Sequence, residues 1–115
     1  MDLTQEKCVA CEGGFPSMAL DKINKYLKEV KGWELIQEAG VYKIKKTFKF
    51  KDFTESMKFV NEIAELAEDE QHHPDILIRW NRVTVTSFTH AIKGLFENDF
   101  IIAAKADKIF KEDFY

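Results

Sequence analysis

Residues 41–71, VYKIKKTFKFKDFTESMKFVNEIAELAEDEQ, decide the fold, because their hydrophobic repeat changes from two residues to that of a helix. The first ten residues alternate, and only Lys46 interrupts the apolar side. The apolar side holds Tyr42, Ile44, Phe48 and Phe50, and the polar side holds Lys43, Lys45, Thr47 and Lys49. This alternation predicts a half-buried strand whose lysines form a solvated face or, as the alternative, an anion-attracting patch.

The second part of this stretch predicts a long amphipathic helix. Asp52 and Glu55 resemble a capping box at its start, and Pro74 cannot continue a helix beyond its end. We expect one apolar stripe along the helix, formed by Phe53, Met57, Val60, Ile63, Ala64 and Ala67.

Before this stretch, the sequence predicts a helix and a short strand. Ser17 can cap a helix that Gly32 ends. Its apolar positions repeat at helical spacing and are Leu20, Ile23, Leu27 and Val30. WELIQ, residues 33–37, is a candidate strand, and the following EAG supplies a turn into the long strand.

After the central helix, the sequence predicts a hairpin and a last helix. DILIRW, residues 75–80, and VTVTSF, residues 83–88, read as strands joined by a tight turn at Asn81 and Arg82. Asn98 or Asp99 is a plausible cap of the last helix. That helix carries apolar Phe100, Ile101, Ala104 and Phe110 at helical intervals.

The order α-β-β-α-β-β-α predicts an α+β fold: a single layer of four antiparallel strands with helices packed on one face. Gly13, Gly14 and Pro16 interrupt regular structure near the start. We therefore expect residues 1–16 to form an irregular N-terminal arm and residues 17–115 to form one domain.

Composition excludes several classes of function. The formal net charge of −3 argues against a nucleic-acid binder, which usually carries a strongly basic face. No apolar run approaches the ~20 residues that span a bilayer, and MDLTQEKC at the start lacks the apolar segment of a signal peptide. The expected location is cytoplasmic, without membrane contact.

Cys8 and Cys11 form a lone CxxC pair in the arm. Two thiolates alone cannot complete a structural zinc site, although they could recruit His72 and His73. A redox pair usually opens a helix after a strand, whereas this pair lies in a glycine-containing arm. A pair of thiols without metal or redox chemistry is the reading we favour.

The three histidines, His72, His73 and His90, are expected to converge. The first two lie at a helix-to-strand junction before Pro74, and His90 follows the hairpin's second strand, which returns to the same end of the sheet. Such histidines are often caps or satisfied polar groups. They could instead bind a catalytic zinc or transfer protons at neutral pH without a metal. Proton transfer requires fewer assumptions, because adjacent side chains leave an extended backbone on opposite sides.

These residues resemble the signature of the pterin-4a-carbinolamine dehydratases. The match comprises Glu68, His72, His73, Pro74, Trp80, His90 and Asp99. Gly32-Trp33 and FKFKDF, residues 48–53, are also similar, and CVACEGG looks like an N-terminal extension of some non-animal members. The resemblance covers roughly residues 18–112.

The resemblance implies a reaction and its site residues. Family members dehydrate 4a-hydroxytetrahydropterin to quinonoid dihydropterin in tetrahydrobiopterin recycling, without a metal or other cofactor. His72 and His90 would transfer protons, and His73, within the same catalytic set, would mainly orient the pterin. Further substrate-binding residues would be Trp80, Thr89 and Asp99, and supporting residues would be Glu68 and Pro74.

The resemblance leaves some roles open. Glu68 could orient His72 from one helical turn away. Asp99 could position His90 or only cap the last helix, and Trp80 could flank the pterin or belong to the core.

The family also implies partners and an alternative function. A homo-oligomer, either a dimer or a tetramer, and functional coupling to an aromatic amino acid hydroxylase are expected. The alternative is a non-catalytic binding, assembly or transcription-coactivator module, since an animal member stabilises dimers of a homeodomain factor. Nothing on the exposed face of the central helix, with Lys58, Asn61, Glu62 and Glu65, selects that role.

Overall fold

A computed structural model describes residues 1–9 and 16–114. The helices are α1 (Leu20–Leu27), α2 (Phe53–Glu70) and α3 (Glu97–Asp113), and the strands are β1 (Glu34–Glu38), β2 (Val41–Lys49), β3 (Asp75–Arg79) and β4 (Arg82–Ser87). Short 3₁₀ turns occupy Leu3–Gln5 and His90–Ile92. The predicted α+β class and the predicted order of helices and strands are confirmed.

The four strands form one antiparallel sheet in the order β1-β2-β4-β3. Ala39 and Gly40 connect β1 to β2 with positive φ angles of 50° and 80°, as a two-residue type I′ turn requires. The predicted turn between β3 and β4 was wrong by one residue. Arg79 pairs with Arg82, so the loop consists of Trp80 and Asn81.

The helices cover one face of the sheet, and the core lies between them. Ile44 and Phe48 from β2 are buried beside Val83 and Val85 from β4. Five phenylalanines from β2, the segment after it, α2 and the end of α3 pack with their rings 4.7–6.1 Å apart: Phe48, Phe50, Phe59, Phe110 and Phe114. This cluster fixes how α2 and α3 lie on the sheet.

Lys46, the residue that interrupts the apolar side of β2, pairs with Asp107 of α3. Its Nζ donates to Asp107 Oδ1 over 2.8 Å, and Trp33 Nε1 donates to Oδ2 over 3.1 Å. Burial raises the pKa of Asp107, and these two donors oppose that rise. The irregular position therefore connects the sheet to α3.

The first helix begins later and ends earlier than predicted. Its N-cap is Ala19 instead of Ser17, its last residue is Leu27, and the turn between its end and β1 contains Gly32. Ser17 cannot cap it, because the Met18 N–H donates to the Leu95 carbonyl over 2.9 Å and holds this segment extended against residues 94–95. Leu20, an expected core position, is 47% exposed.

The central helix begins as predicted, but its buried stripe differs. The Asp52 side chain accepts from the Glu55 N–H over 2.9 Å and caps α2. Phe53 and Ala64 are exposed. The buried positions are Ser56, Phe59, Ile63, Ala67 and Glu70. Packing of Phe59 against Phe48 and Phe50 sets this orientation.

The described start of the N-terminal arm, residues 1–9, contains a short 3₁₀ turn. Asp2 caps the 3₁₀ turn Leu3–Gln5 by accepting from the Thr4 N–H, and Leu3 belongs to the hydrophobic core. Gly13 and Gly14 lie outside the described residues. The division into an arm, residues 1–16, and a domain, residues 17–115, stays a prediction.

In the part of the chain that the structure describes, no helix combines the length and the apolar character that crossing a membrane requires.

Candidate active site

The junction between α2 and β3 places two adjacent histidines in different surroundings. Gln71 ends the helix with a left-handed φ of 53°, and the His72 N–H donates to the Ala67 carbonyl over 3.1 Å. From there the backbone is extended into β3, so consecutive side chains point in opposite directions. His72 is consequently buried, at 8% exposure, whereas His73 is exposed.

The carboxylate of Asp99 holds His72 from the first turn of α3. Asp99 Oδ1 lies 2.7 Å from His72 Nε2 and accepts from Ser87 Oγ over 2.6 Å. Asp99 Oδ2 accepts from Thr89 Oγ1 over 2.8 Å and from the Phe96 N–H over 3.0 Å. Asp99 is fully buried, and these hydrogen bonds compensate its carboxylate for the lost water.

This pair determines which nitrogen of His72 carries the proton. An ionised carboxylate can only accept hydrogen bonds, so His72 Nε2–H must donate to Asp99. The hydrogen bond to Asp99 thereby sets the ring orientation and the tautomer of His72. Carboxylates commonly orient imidazoles in this way.

Two predictions about carboxylates need correction. Asp99 contacts His72 and not His90, although its bond to the Phe96 N–H also helps to cap α3. Glu68 contacts His73 and not His72: Glu68 Oε2 lies 2.5 Å from His73 Nε2, and both side chains are exposed. The αL residue Gln71 ends the helical repeat, so His72 no longer lies one helical turn after Glu68.

His90 begins the 3₁₀ turn His90–Ile92 directly after Thr89. Its ring rests on Phe88 with centroids 4.1 Å apart, and Lys43 Nζ lies 4.2 Å from the Phe88 ring centroid. Thr89 and Gly94 pair across the turn, with the Thr89 N–H donating to the Gly94 carbonyl over 2.8 Å. The closed loop and the Phe88 ring thus hold the exposed imidazole in place.

All three histidines line one cavity of about 260 Å³. Its other lining residues are Val9, Gln71, Thr89, Ala91 and Asn98. The expected convergence of the three imidazoles is confirmed, and Thr89 belongs to the same site.

Trp80 is not among the residues that line this cavity. The expectation that it belongs to the core was wrong, and its contact with a pterin stays a prediction. It occupies the hairpin loop at the end of β3, whereas His72 and His73 precede the start of β3, roughly 16 Å away for five extended residues. Trp80 is 61% exposed, so it does not belong to the core.

Sequence reasoning missed Ser87, Asn98 and Val9. Ser87 had a signal, because it continues the inward series of Val83 and Val85 on β4 and is a polar residue at a core position. Asn98 was considered only as a cap, and Val9 carries no local signal because it reaches the cavity through tertiary contacts.

No three His, Cys, Asp or Glu side chains among residues 1–9 and 16–114 are arranged to hold a metal ion. Burial and the nearby Glu70 raise the pKa of the Cys8 thiol to about 12, which disfavours a thiolate. Cys11 lies outside the described residues, so the CxxC interpretation is untested.

The protein is a small α+β protein with a four-stranded antiparallel sheet. Its histidine-lined cavity lies at the end of α2 and contains a buried His–Asp pair, an arrangement suited to proton transfer. The family model described as Pterin 4 alpha carbinolamine dehydratase matches residues 16–109. The chain belongs to this family.

Similar proteins span nearly the whole chain. A Chlorobium luteolum protein named "Putative pterin-4-alpha-carbinolamine dehydratase" is 42% identical over 96% of this chain and 97% of its own length. A Vibrio vulnificus protein of the same name is 44% identical, over 95% and 99% respectively.

Two solved structures share the fold. The transcriptional coactivator/pterin dehydratase from Brucella melitensis aligns with a TM-score of 0.74 and 34% identity, over 81% of this chain and 97% of that one. A pterin dehydratase-like RuBisCO assembly factor of the alpha-carboxysome aligns with a TM-score of 0.58 over 68% of this chain and 88% of that one, and its 22% identity carries the fold alone.

Proposed function

We propose that this protein dehydrates 4a-hydroxytetrahydropterin to quinonoid dihydropterin by histidine acid–base catalysis. The C4a–O bond breaks, the oxygen leaves as water after gaining a proton, and the ring nitrogen N5 loses its proton as the C=N bond forms. One proton is delivered and one removed, so the reaction is redox-neutral and needs two groups that exchange protons near pH 7.

The observation that carries this proposal is the cavity in which His72, held by buried Asp99, lies with His73 and His90. His72 Nε2 is bound to Asp99, which leaves Nδ1 to exchange a proton with the substrate. The same bond fixes the His72 ring in the cavity, so this imidazole is positioned for proton transfer.

His90 is the second proton-transfer group in this proposal, and His73 orients the pterin. His90 is exposed at the cavity and fixed by its contact with Phe88, so it can reach a bound substrate without repacking. His73 contacts Glu68, and this contact orients the His73 ring. Because both side chains are exposed, the contact adds little to the stability of the fold.

The direct test is the decay of 4a-hydroxytetrahydropterin, generated in situ by an aromatic amino acid hydroxylase and followed by ultraviolet absorbance. Wild type should accelerate the decay, and His90→Ala should lose about 100-fold or more of that acceleration, the usual share of one acid–base group. Asn24→Ala, on the exposed surface of α1, is the control that should keep full activity.

A wild type that matches the uncatalysed decay rate would contradict the dehydratase proposal. The same fold would then act as a binding, assembly or coactivator module, a reading favoured by the double description of the Brucella melitensis relative. Alanine at His72 and His90 in cells separates the two, because only an enzyme needs both imidazoles.

The same proposal includes three further points. The protein acts in tetrahydrobiopterin recycling, coupled to an aromatic amino acid hydroxylase; it is cytoplasmic; and it forms a homo-oligomer. Apolar Ile36 and Leu77 lie on a shallow depression of the sheet, where a second copy would bury them. Sedimentation velocity measures the oligomeric state.

A further inference from the structure

The backbone of Cys8 and Val9 is attached to α2 and α3 close to the His–Asp pair. The Cys8 N–H donates to Glu70 Oε1 over 2.8 Å. The Val9 N–H donates to Asn98 Oδ1 over 2.9 Å, and Asn98 Nδ2 donates back to the Val9 carbonyl over 2.7 Å. One side-chain amide thus satisfies both polar groups of the Val9 backbone, as a neighbouring strand would.

Both attachment points are close in sequence to the pair. Glu70 precedes His72 by two residues, Asn98 directly precedes Asp99, and both Glu70 and Asn98 are buried. The positions of Val9, His72 and Asp99 are therefore set by the same ends of α2 and α3.

Glu70 is equipped to hold this segment as an anion. Burial opposes its charge, but hydrogen bonds from Lys105 Nζ, over 2.5 Å, and from the Cys8 N–H outweigh burial and lower the pKa of Glu70. A backbone N–H bound to an ionised carboxylate is a charge-assisted hydrogen bond, stronger than a neutral one. Nearer the N-terminus, Leu3 is buried in the core and also anchors the arm.

Val9 supplies most of the aliphatic surface of the cavity, to which Ala91 adds one methyl group. Among the described lining residues only Val9 and Ala91 are aliphatic, whereas the others present imidazole, amide or hydroxyl groups. Val9 is 54% exposed, so about half of its surface is open to solvent at the cavity. A flat heterocycle needs apolar contact on its faces in addition to hydrogen bonds at its edges.

We propose that Val9 is a substrate-contact residue that packs on the pterin, and that Asn98 and Glu70 are positioning residues that hold it there. This inference rests on the proposed function and extends it to the arm. Substrate affinity then depends on the size of the side chain at position 9, while the proton-transfer groups remain in place.

The test compares Val9→Ala with Leu20→Ala, which truncates an aliphatic side chain of similar exposure on α1, away from the cavity. Val9→Ala should raise KM about fivefold with kcat within about twofold, because one lost apolar contact weakens binding by roughly this factor or more. Val9→Ile, which keeps an aliphatic side chain, should keep the wild-type KM, and Leu20→Ala should change neither constant. An unchanged KM in Val9→Ala would overturn the inference.

Asn98→Asp tests the attachment, because it keeps the acceptor for the Val9 N–H and removes the donor to the Val9 carbonyl. We expect KM to rise, and Val9→Ala to add little in the Asn98→Asp background. Additive effects would overturn the positioning role of Asn98. If Asn98→Asp fails to fold, Val9→Ala and Val9→Ile still decide the role of Val9.

Binding of 7,8-dihydrobiopterin, a reduced pterin that cannot be dehydrated, separates this inference from the proposed activity. If wild type binds it without accelerating dehydration, the activity fails, and a weaker Kd in Val9→Ala still supports the arm contact. If wild type neither binds it nor accelerates dehydration, the activity and the inference both fail.

Discussion

Asp99 receives hydrogen bonds from three other groups besides His72, so a single substitution there affects the whole His–Asp arrangement. In Asp99→Asn the amide has one acceptor oxygen and an NH₂ group that donates, so it cannot satisfy all four partners. His72 then loses its fixed tautomer. We expect the dehydration rate to fall about 100-fold or more, measured with the ultraviolet assay.

Asp69→Asn is the matched control, because this carboxylate lies exposed on α2. It should keep wild-type activity and wild-type thermal unfolding. If Asp99→Asn folds and retains more than half of the wild-type rate, the orientation of His72 by Asp99 is not needed for catalysis.

The sequence predicted that the three histidines lie together, but it did not predict all of their hydrogen-bond partners. His72, His73 and His90 could be grouped from the sequence, because the junction and the hairpin return the chain to one end of the sheet. The partner of Asp99 could not be predicted, since the αL turn at Gln71 directs His72 towards α3. That turn is the C-cap of α2, and its αL conformation at Gln71 could not be read from the sequence.

Asp52 is the N-cap of α2 and therefore controls the start of the longest helix. Asp52→Ala removes the acceptor for the Glu55 N–H, and we expect the free energy of unfolding to fall by about 1 kcal/mol. Urea denaturation measures this. Asp52→Asn keeps an oxygen acceptor and should lose little. Equal losses in both variants would show that the charge, and not the hydrogen bond, stabilises α2.

Secondary structure was predictable where it depends on local pattern. β2 and α2 were recognised from the two repeats, and the Asp52 cap from its spacing to Glu55. The cap of α1 was not, because it depends on a distant residue, and the second hairpin turn was not, because the strand register sets it. Met18 pairs with Leu95, and the register of Arg79 with Arg82 forces Trp80 into a positive φ of 45°.

Glu62 connects the stability of the whole molecule to pH, because its carboxyl faces Asp113 of α3. Burial and the hydrogen bond with Asp113 raise the pKa of Glu62 to about 7. The native state then holds a proton that the unfolded chain releases near the ordinary pKa of 4.5. This contribution to stability is complete below about pH 4.5 and is lost as pH rises through about 7.

Glu62→Gln should therefore be more stable than wild type at pH 8, with the difference shrinking towards pH 5. Urea unfolding at both values measures it. Asp21→Asn, on the exposed surface of α1, should show the same difference from wild type at both pH values. A Glu62→Gln variant that is less stable than wild type at pH 8 would contradict the raised pKa.

The two tryptophans report on different parts of the folded chain. Trp33 lies in the core beside Phe48, whereas Trp80 occupies the exposed hairpin loop, distant from the cavity. Their intrinsic fluorescence should therefore differ, with blue-shifted emission from the buried indole and red-shifted emission from the solvated one. Replacing Trp80 by phenylalanine would leave a single-tryptophan protein whose emission follows the core alone.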